Sequence, residues 1–201
     1  MLDGWTRKRI DPLVRPAAIM AARAGLSANA ITVAGCIVGL AAAASIANGW
    51  LAAGLLIILV SRFGDALDGA VACIRGKTDL GGYLDIVLDF VFYGAVPMGF
   101  VFADPATNAV PGAALILSFY INGSSFLAYA IMAERRNLQT DARGSKSLYF
   151  TTGLAEATET IAAFALACTF PGWFPVIAWV FAAMTLYTAL CRIVLAARTF
   201  R

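Results

Sequence analysis

Six long apolar runs leave this chain few folds to choose from. They lie at roughly 29–47, 52–74, 81–102, 109–132, 149–170 and 173–197. As a helix rising about 1.5 Å per residue, each is long enough to cross a hydrocarbon core about 30 Å thick. Backbone in lipid must satisfy its own hydrogen bonds, so runs of this length are expected as helices. Composition agrees: 61% of the 201 residues are hydrophobic and 13% are charged, against about 25% charged in a soluble domain. The expected fold is an all-α integral membrane protein, with one domain over residues 1–201 and six transmembrane helices.

The connections alternate in charge. Arg7, Lys8, Arg9, Arg15 and Arg23 precede the first run, Arg75 and Lys77 follow the second, and Arg135, Arg136, Arg143 and Lys146 follow the fourth. The intervening connections, at 48–50, 103–111 and 170–174, hold no lysine or arginine. The positive-inside rule then puts both termini on the cytoplasmic side of a multi-pass protein. The net charge of +3 follows this topology and does not indicate a nucleic-acid partner. No signal-peptide cleavage pattern precedes the first run, so the N-terminus is expected to be retained. Within the arm at 1–28, Asp11 as N-cap and Pro12 at the first helical position predict an interfacial amphipathic helix, with Arg15 and Arg23 near anionic headgroups. A solvated basic arm is the alternative.

Cys36, Cys73, Cys168 and Cys191 show no CxxC spacing, and the chain has no histidine. A disulfide framework and a zinc site are therefore not expected. A general base must be a carboxylate, cysteine, lysine or tyrosine, and a divalent metal must be held mostly by oxygen.

The second and third runs contain Asp65 and Asp68, spaced i, i+3, and Asp85 and Asp89, spaced i, i+4. Each pair projects from one face of its helix. The short connection between the runs makes the helices antiparallel neighbours, so the four carboxylates share one pocket, roughly 6–13 Å inside the cytoplasmic boundary. Left unpaired, they would cost on the order of 10 kcal/mol. Either they are protonated, or they are paired with arginines, or they hold cations. Arg62 and Arg192 could offset Glu156 and Glu159, leaving the four aspartates to two Mg2+ or Mn2+ ions. Two metals bridged by carboxylates suit phosphoryl transfer. Gly64, Ala66, Gly69, Ala70, Ala72, Gly81 and Gly82 leave room for a bulky headgroup, or simply for close helix packing.

The pattern Asp65-x-x-Asp68-Gly69-x-x-Ala72 followed by Gly81-x-x-x-Asp85-x-x-x-Asp89 resembles the signature of the CDP-alcohol phosphatidyltransferases. It fixes seven positions within 25 residues. The resemblance implies transfer of a phosphatidyl or related phosphoalcohol group from a CDP-linked lipid such as CDP-diacylglycerol to an alcohol acceptor, with release of CMP. It implies that Asp65 and Asp85 contact both metals, Asp68 one and Asp89 the other, with Asp89 also taking the proton of the attacking hydroxyl. Nucleotide and diphosphate contacts would fall on Gly69, Cys73 and Thr78, and on the stretch Asn29, Ala30, Ile31 and Thr32 that opens the first run. It further implies a homodimer in a bacterial-type cytoplasmic (inner) membrane, with the active site facing the cytoplasm.

Two features depart from the family pattern. Cys73 stands where the family carries arginine, and the gap from there to Gly81 is one residue shorter than usual. Arg75 or Lys77 could substitute from the same loop. On the acceptor side, Arg192 could anchor an anionic alcohol with Arg143 and Lys146 closing over it, or it could instead pair with Glu156 or Glu159. Ser124 and Ser125 read as helix-packing residues. Two other classes also place acids in membrane helices: intramembrane prenyltransferases, which bind a prenyl diphosphate, and non-enzymatic cation-binding proteins or transporters.

Overall fold

Ser27 starts the first apolar helix, its Oγ accepting a hydrogen bond from the Ala30 N–H at 3.2 Å. Thr78 does the same for a later helix, accepting from Gly81 N at 3.0 Å. Such caps satisfy amide groups that the first turn leaves without partners. The computed structural model describes residues 3–136 and 154–200, and every regular element among them is helical. In chain order these are α1 (Asp3–Arg23), α2 (Ala28–Ala47), α3 (Leu51–Arg75), α4 (Asp79–Ala103), α5 (Pro105–Arg135), α6 (Ala157–Thr169) and α7 (Phe174–Thr199), with one turn of 3-10 helix at Pro171–Trp173 before α7.

Among the described residues, four stretches are long and apolar enough to cross a membrane: α2, α4, α5, and α7 with its preceding 3-10 turn. The 25-residue α3 matches α4 in length but carries Arg62, Asp65 and Asp68 along its middle and later turns. Helix α6 is shorter, with 13 residues. The fifth apolar run, expected over 149–170, therefore differs. Residues 149–153 lie outside the described residues, and helix begins only at Ala157, after Glu156 in extended conformation. The approach to α6 is tied to α7 instead, with Leu154 N and Ala155 N both donating to Thr188 Oγ1 at 3.0 and 3.3 Å.

Helix α1 also departs from expectation. It runs through Asp11, Pro12 and Pro16, so Asp11 is an interior residue and not an N-cap. Val14, Ala18 and Ala21 are buried while Leu13 and Met20 are exposed. The buried stripe has helical spacing, and α1 lies against α3, with Ala18 and Ala21 joining Val71 in a small cluster. That contact offsets the cost of interior prolines, which remove hydrogen bonds from the helix.

Helix α2 packs against both α3 and α4, and α5 packs against α7 and α4. Between helices in lipid the hydrophobic effect contributes little, so association depends on close contact. Gly99 illustrates this: a Cβ there would lie 2.6 Å from the backbone oxygen of Ala43. The main core joins Ala42 and Ile46 of α2, Ile58 of α3, Phe92, Val96 and Phe100 of α4, and Phe164, Phe174 and Phe181 from the later helices. Phe100 stacks on Phe174 with centroids 4.6 Å apart. These residues come from the C-terminal halves of α2 and α4 and the first half of α3. The opposite halves of those three helices are left to form a polar cleft.

Candidate active site

Three helices contribute one wall each to that cleft, an open space of about 230 Å³. Helix α2 gives Thr32, Gly35 and Cys36; α3 gives Ser61, Arg62, Asp65 and Asp68; α4 gives Asp85, Leu88 and Asp89. The turn between α3 and α4 returns the chain on itself through Gly76, whose φ of +100° is disfavoured for residues with a Cβ. The i, i+3 and i, i+4 spacings then aim both acid pairs into the cleft. Carboxylate oxygens of Asp65, Asp68 and Asp85 all lie within 4.8 Å of one another.

Asp68 is 5% exposed, and its Oδ2 is buried without a hydrogen-bond partner in the protein. A buried carboxylate oxygen left in this state is costly unless a ligand completes it. Three converging carboxylates and this orphaned oxygen form an all-oxygen donor set that fits a hard divalent cation.

Asp89 is engaged differently. Its Oδ1 accepts a hydrogen bond from Arg62 Nη1 at 2.7 Å, and the same nitrogen lies 3.5 Å from Asp65 Oδ1. The Arg62 guanidinium is 3.9 Å from the centre of the Phe92 ring, and Nη2 donates to Ser61 Oγ at 3.4 Å. Ser61 Oγ in turn donates to the Gly35 carbonyl at 2.8 Å, joining α3 to α2. Arg62 thus serves the aspartates, and the expected offset of Arg62 by a glutamate is corrected. The sequence signal was its position one turn before Asp65. Cys36 and Ser61 also line the cleft, and nothing in their sequence context singled them out.

Thr32 lines the cleft and donates its Oγ1 to Ala28 O at 2.9 Å. Asn29 and Thr78 come together from α2 and the start of α4. A Cβ on Gly81 would lie 2.9 Å from Asn29 Oδ1 and 3.0 Å from Thr78 Oγ1, so the glycine is what lets the two polar groups approach. Ala30 is exposed, and Ile31 is half-buried against the cluster that α1 and α3 share. Gly69 and Cys73 are exposed on successive turns of α3, and no atom crowds the open side of Gly69.

Among the described residues, Arg75, Lys77 and Arg192 do not line the acidic cleft. Arg75 Nη1 donates to Leu26 O at 2.8 Å, fastening α3 to the α1–α2 turn, and Lys77 is exposed. Arg192 Nη1 bonds to Asn122 O, Asn122 Oδ1 and Ser125 Oγ at 3.0, 2.9 and 2.8 Å. Its hydrogen bonds therefore bind α7 to α5, and Ser125 is an acceptor for a guanidinium as well as a packing residue. Arg143 and Lys146 lie outside the described residues.

A family model for CDP-alcohol phosphatidyltransferase matches residues 26–190. The chain belongs to the CDP-alcohol phosphatidyltransferase family, and is accordingly a membrane transferase of phospholipid biosynthesis. Among curated relatives it is 42% identical over 193 residues to inner membrane protein YnjF of Escherichia coli, covering 96% of this chain and 94% of that protein. It is 40% identical over 94 residues to archaetidylinositol phosphate synthase of Methanothermobacter thermautotrophicus, covering 46% of this chain and 45% of that one. Its fold is similar to that of Mycobacterium tuberculosis phosphatidylinositol phosphate synthase. The complex with manganese and citrate superposes with a TM-score of 0.70 at 22% identity, over 90% of this chain and 87% of that one. The CDP-DAG-bound form gives 0.70 at 23% identity, over 90% and 92%.

Proposed function

We propose that the chain transfers a phosphatidyl or closely related group from a CDP-linked lipid such as CDP-diacylglycerol to an alcohol, releasing CMP. The observation that carries this reading is the convergence of Asp65, Asp68 and Asp85 with Asp89 one turn further along α4, in a chain of this family. The solved relatives that bind manganese and CDP-DAG support the same donor and metal classes.

In this reading the four aspartates hold two Mg2+ or Mn2+ ions. When bound, such ions supply electrostatic stabilisation for charge developing on the diphosphate. Asn29, Thr32, Gly69 and Thr78 form the edge against which the nucleotide and diphosphate lie. The acceptor hydroxyl attacks the lipid-linked phosphorus, a new P–O bond forms, and the bond between the two phosphates breaks with CMP leaving. Asp89 accepts the hydroxyl proton. Arg192, held between α5 and α7, is the candidate contact for the acceptor. In the same reading the chain has six spans, α3 and α6 among them, with both termini and the cleft on the cytoplasmic side of a bacterial inner membrane, as the positive-inside rule supports. The working unit is a homodimer.

The test is CMP release by purified protein given CDP-diacylglycerol, Mg2+ or Mn2+, and a panel containing glycerol phosphate, serine, inositol and inositol phosphate. One acceptor is expected to give metal-dependent CMP. Asp89→Asn is expected to lower that rate by about 10²–10⁴-fold while the protein remains folded. Absence of CMP with every acceptor and metal, or full activity in Asp89→Asn, would overturn the reading.

A further inference from the structure

Three of the four aspartates form one cluster, and the fourth is held apart by an arginine. Oxygens of Asp65, Asp68 and Asp85 lie within 4.8 Å of one another, whereas Asp89 Oδ1 is bound by Arg62 Nη1 at 2.7 Å. That nitrogen also faces Asp65 Oδ1 at 3.5 Å, so the guanidinium spans the gap between the cluster and Asp89. The Arg62 side chain is 10% exposed. It is lodged over Phe92 and tied through Ser61 to the α2 backbone. An arginine stays charged at any working pH, so this is a permanent cation inside the acidic cleft.

We infer that Arg62 is a resident counter-cation that makes the two metal positions unequal. The Asp65, Asp68 and Asp85 cluster takes one divalent cation while Arg62 stays in place. A second cation that engages Asp89 must either displace Arg62 from Oδ1 or share the carboxylate with it through Oδ2. The charge balance favours this order. Four carboxylates match two dications, but with the guanidinium also present the same site carries one positive charge in excess. The second ion therefore meets repulsion from a guanidinium that already holds Asp89 Oδ1 through a charge-assisted hydrogen bond. Arg62 is a positioning residue, acting through Asp89. The inference rests on the metal-dependent reading above, and it ties that reading to a group outside the seven positions of the aspartate signature.

The experiment titrates the purified full chain in lipid nanodiscs with Mn2+ alone, without nucleotide or lipid substrate. Free Mn2+ is read by electron paramagnetic resonance, and a bound pair by its spin-coupled spectrum. The wild type is expected to fill one position first and a second more weakly. Arg62→Gln is expected to tighten the second on the order of tenfold or more, to tighten the first by less, since Arg62 also faces Asp65, and to show the coupled spectrum at lower Mn2+. Arg62→Lys, which keeps the charge, should keep the second position weak and covers the case in which the glutamine variant fails to fold. Equal second-site affinity in wild type and Arg62→Gln, or tightening by lysine, would overturn the role of Arg62 alone. A wild-type chain that binds no Mn2+ would overturn the metal reading with it.

Discussion

Cys73 is exposed on α3, four residues beyond Gly69, where the family pattern expects a guanidinium. Its two basic neighbours do not take that place among the aspartates: Arg75 is bonded to Leu26 O, and Lys77 is exposed in the turn. Cys73 itself cannot supply a charge-assisted hydrogen bond to a diphosphate at this edge of the proposed donor site. Cys73→Arg is expected to lower KM for the CDP-linked lipid by up to about tenfold, since such bonds contribute about 1.5–3 kcal/mol and exposure reduces this. The check is a KM measurement at saturating acceptor; an unchanged KM would show that the donor is gripped elsewhere. The four aspartates were legible in sequence because carboxylates in an apolar run are costly enough to need a reason. The partner of Arg62 was not, because Asp89 lies 27 positions away on another helix.

Helices α2, α3 and α4 carry two jobs along their lengths, with aromatic core at one end and the acidic cleft at the other. Contact between α2 and α4 sets their spacing for both. Gly99 gives the element-scale test, because a Cβ there meets the Ala43 backbone oxygen at 2.6 Å and backbone has no rotamer with which to move aside. Gly99→Ala is expected to destabilise the protein by about 1–3 kcal/mol through overpacking, read as a lower melting temperature in detergent. An unshifted melt would mean that the helices separate at little cost. Helix identity was readable from run length, but ends were less so. Asp11 has the chemistry of an N-cap, yet α1 is helical on both sides of it. Just before α6, Leu154 N and Ala155 N bond to Thr188, a residue distant in sequence.

For the whole molecule, the charge alternation of the loops makes a topology that can be tested by labelling. In a background lacking the four native cysteines, a membrane-impermeant maleimide on intact cells is expected to react at Asn48→Cys and Thr107→Cys. Lys77→Cys should react only after the membrane is permeabilised. The reverse pattern would put the cleft on the outer face. The sequence by itself determined that the chain is helical, belongs in a membrane, and needs a use for its acids. Each of these follows from local chemistry: run length against bilayer thickness, and carboxylate against hydrocarbon. Tertiary structure alone decided which charges meet. It set Arg62 on Asp89 and Asp65, Arg192 on Asn122 and Ser125, and Arg75 on the α1–α2 turn. Partner choice depends on helix rotation and crossing, which arise from close packing between segments far apart along the chain.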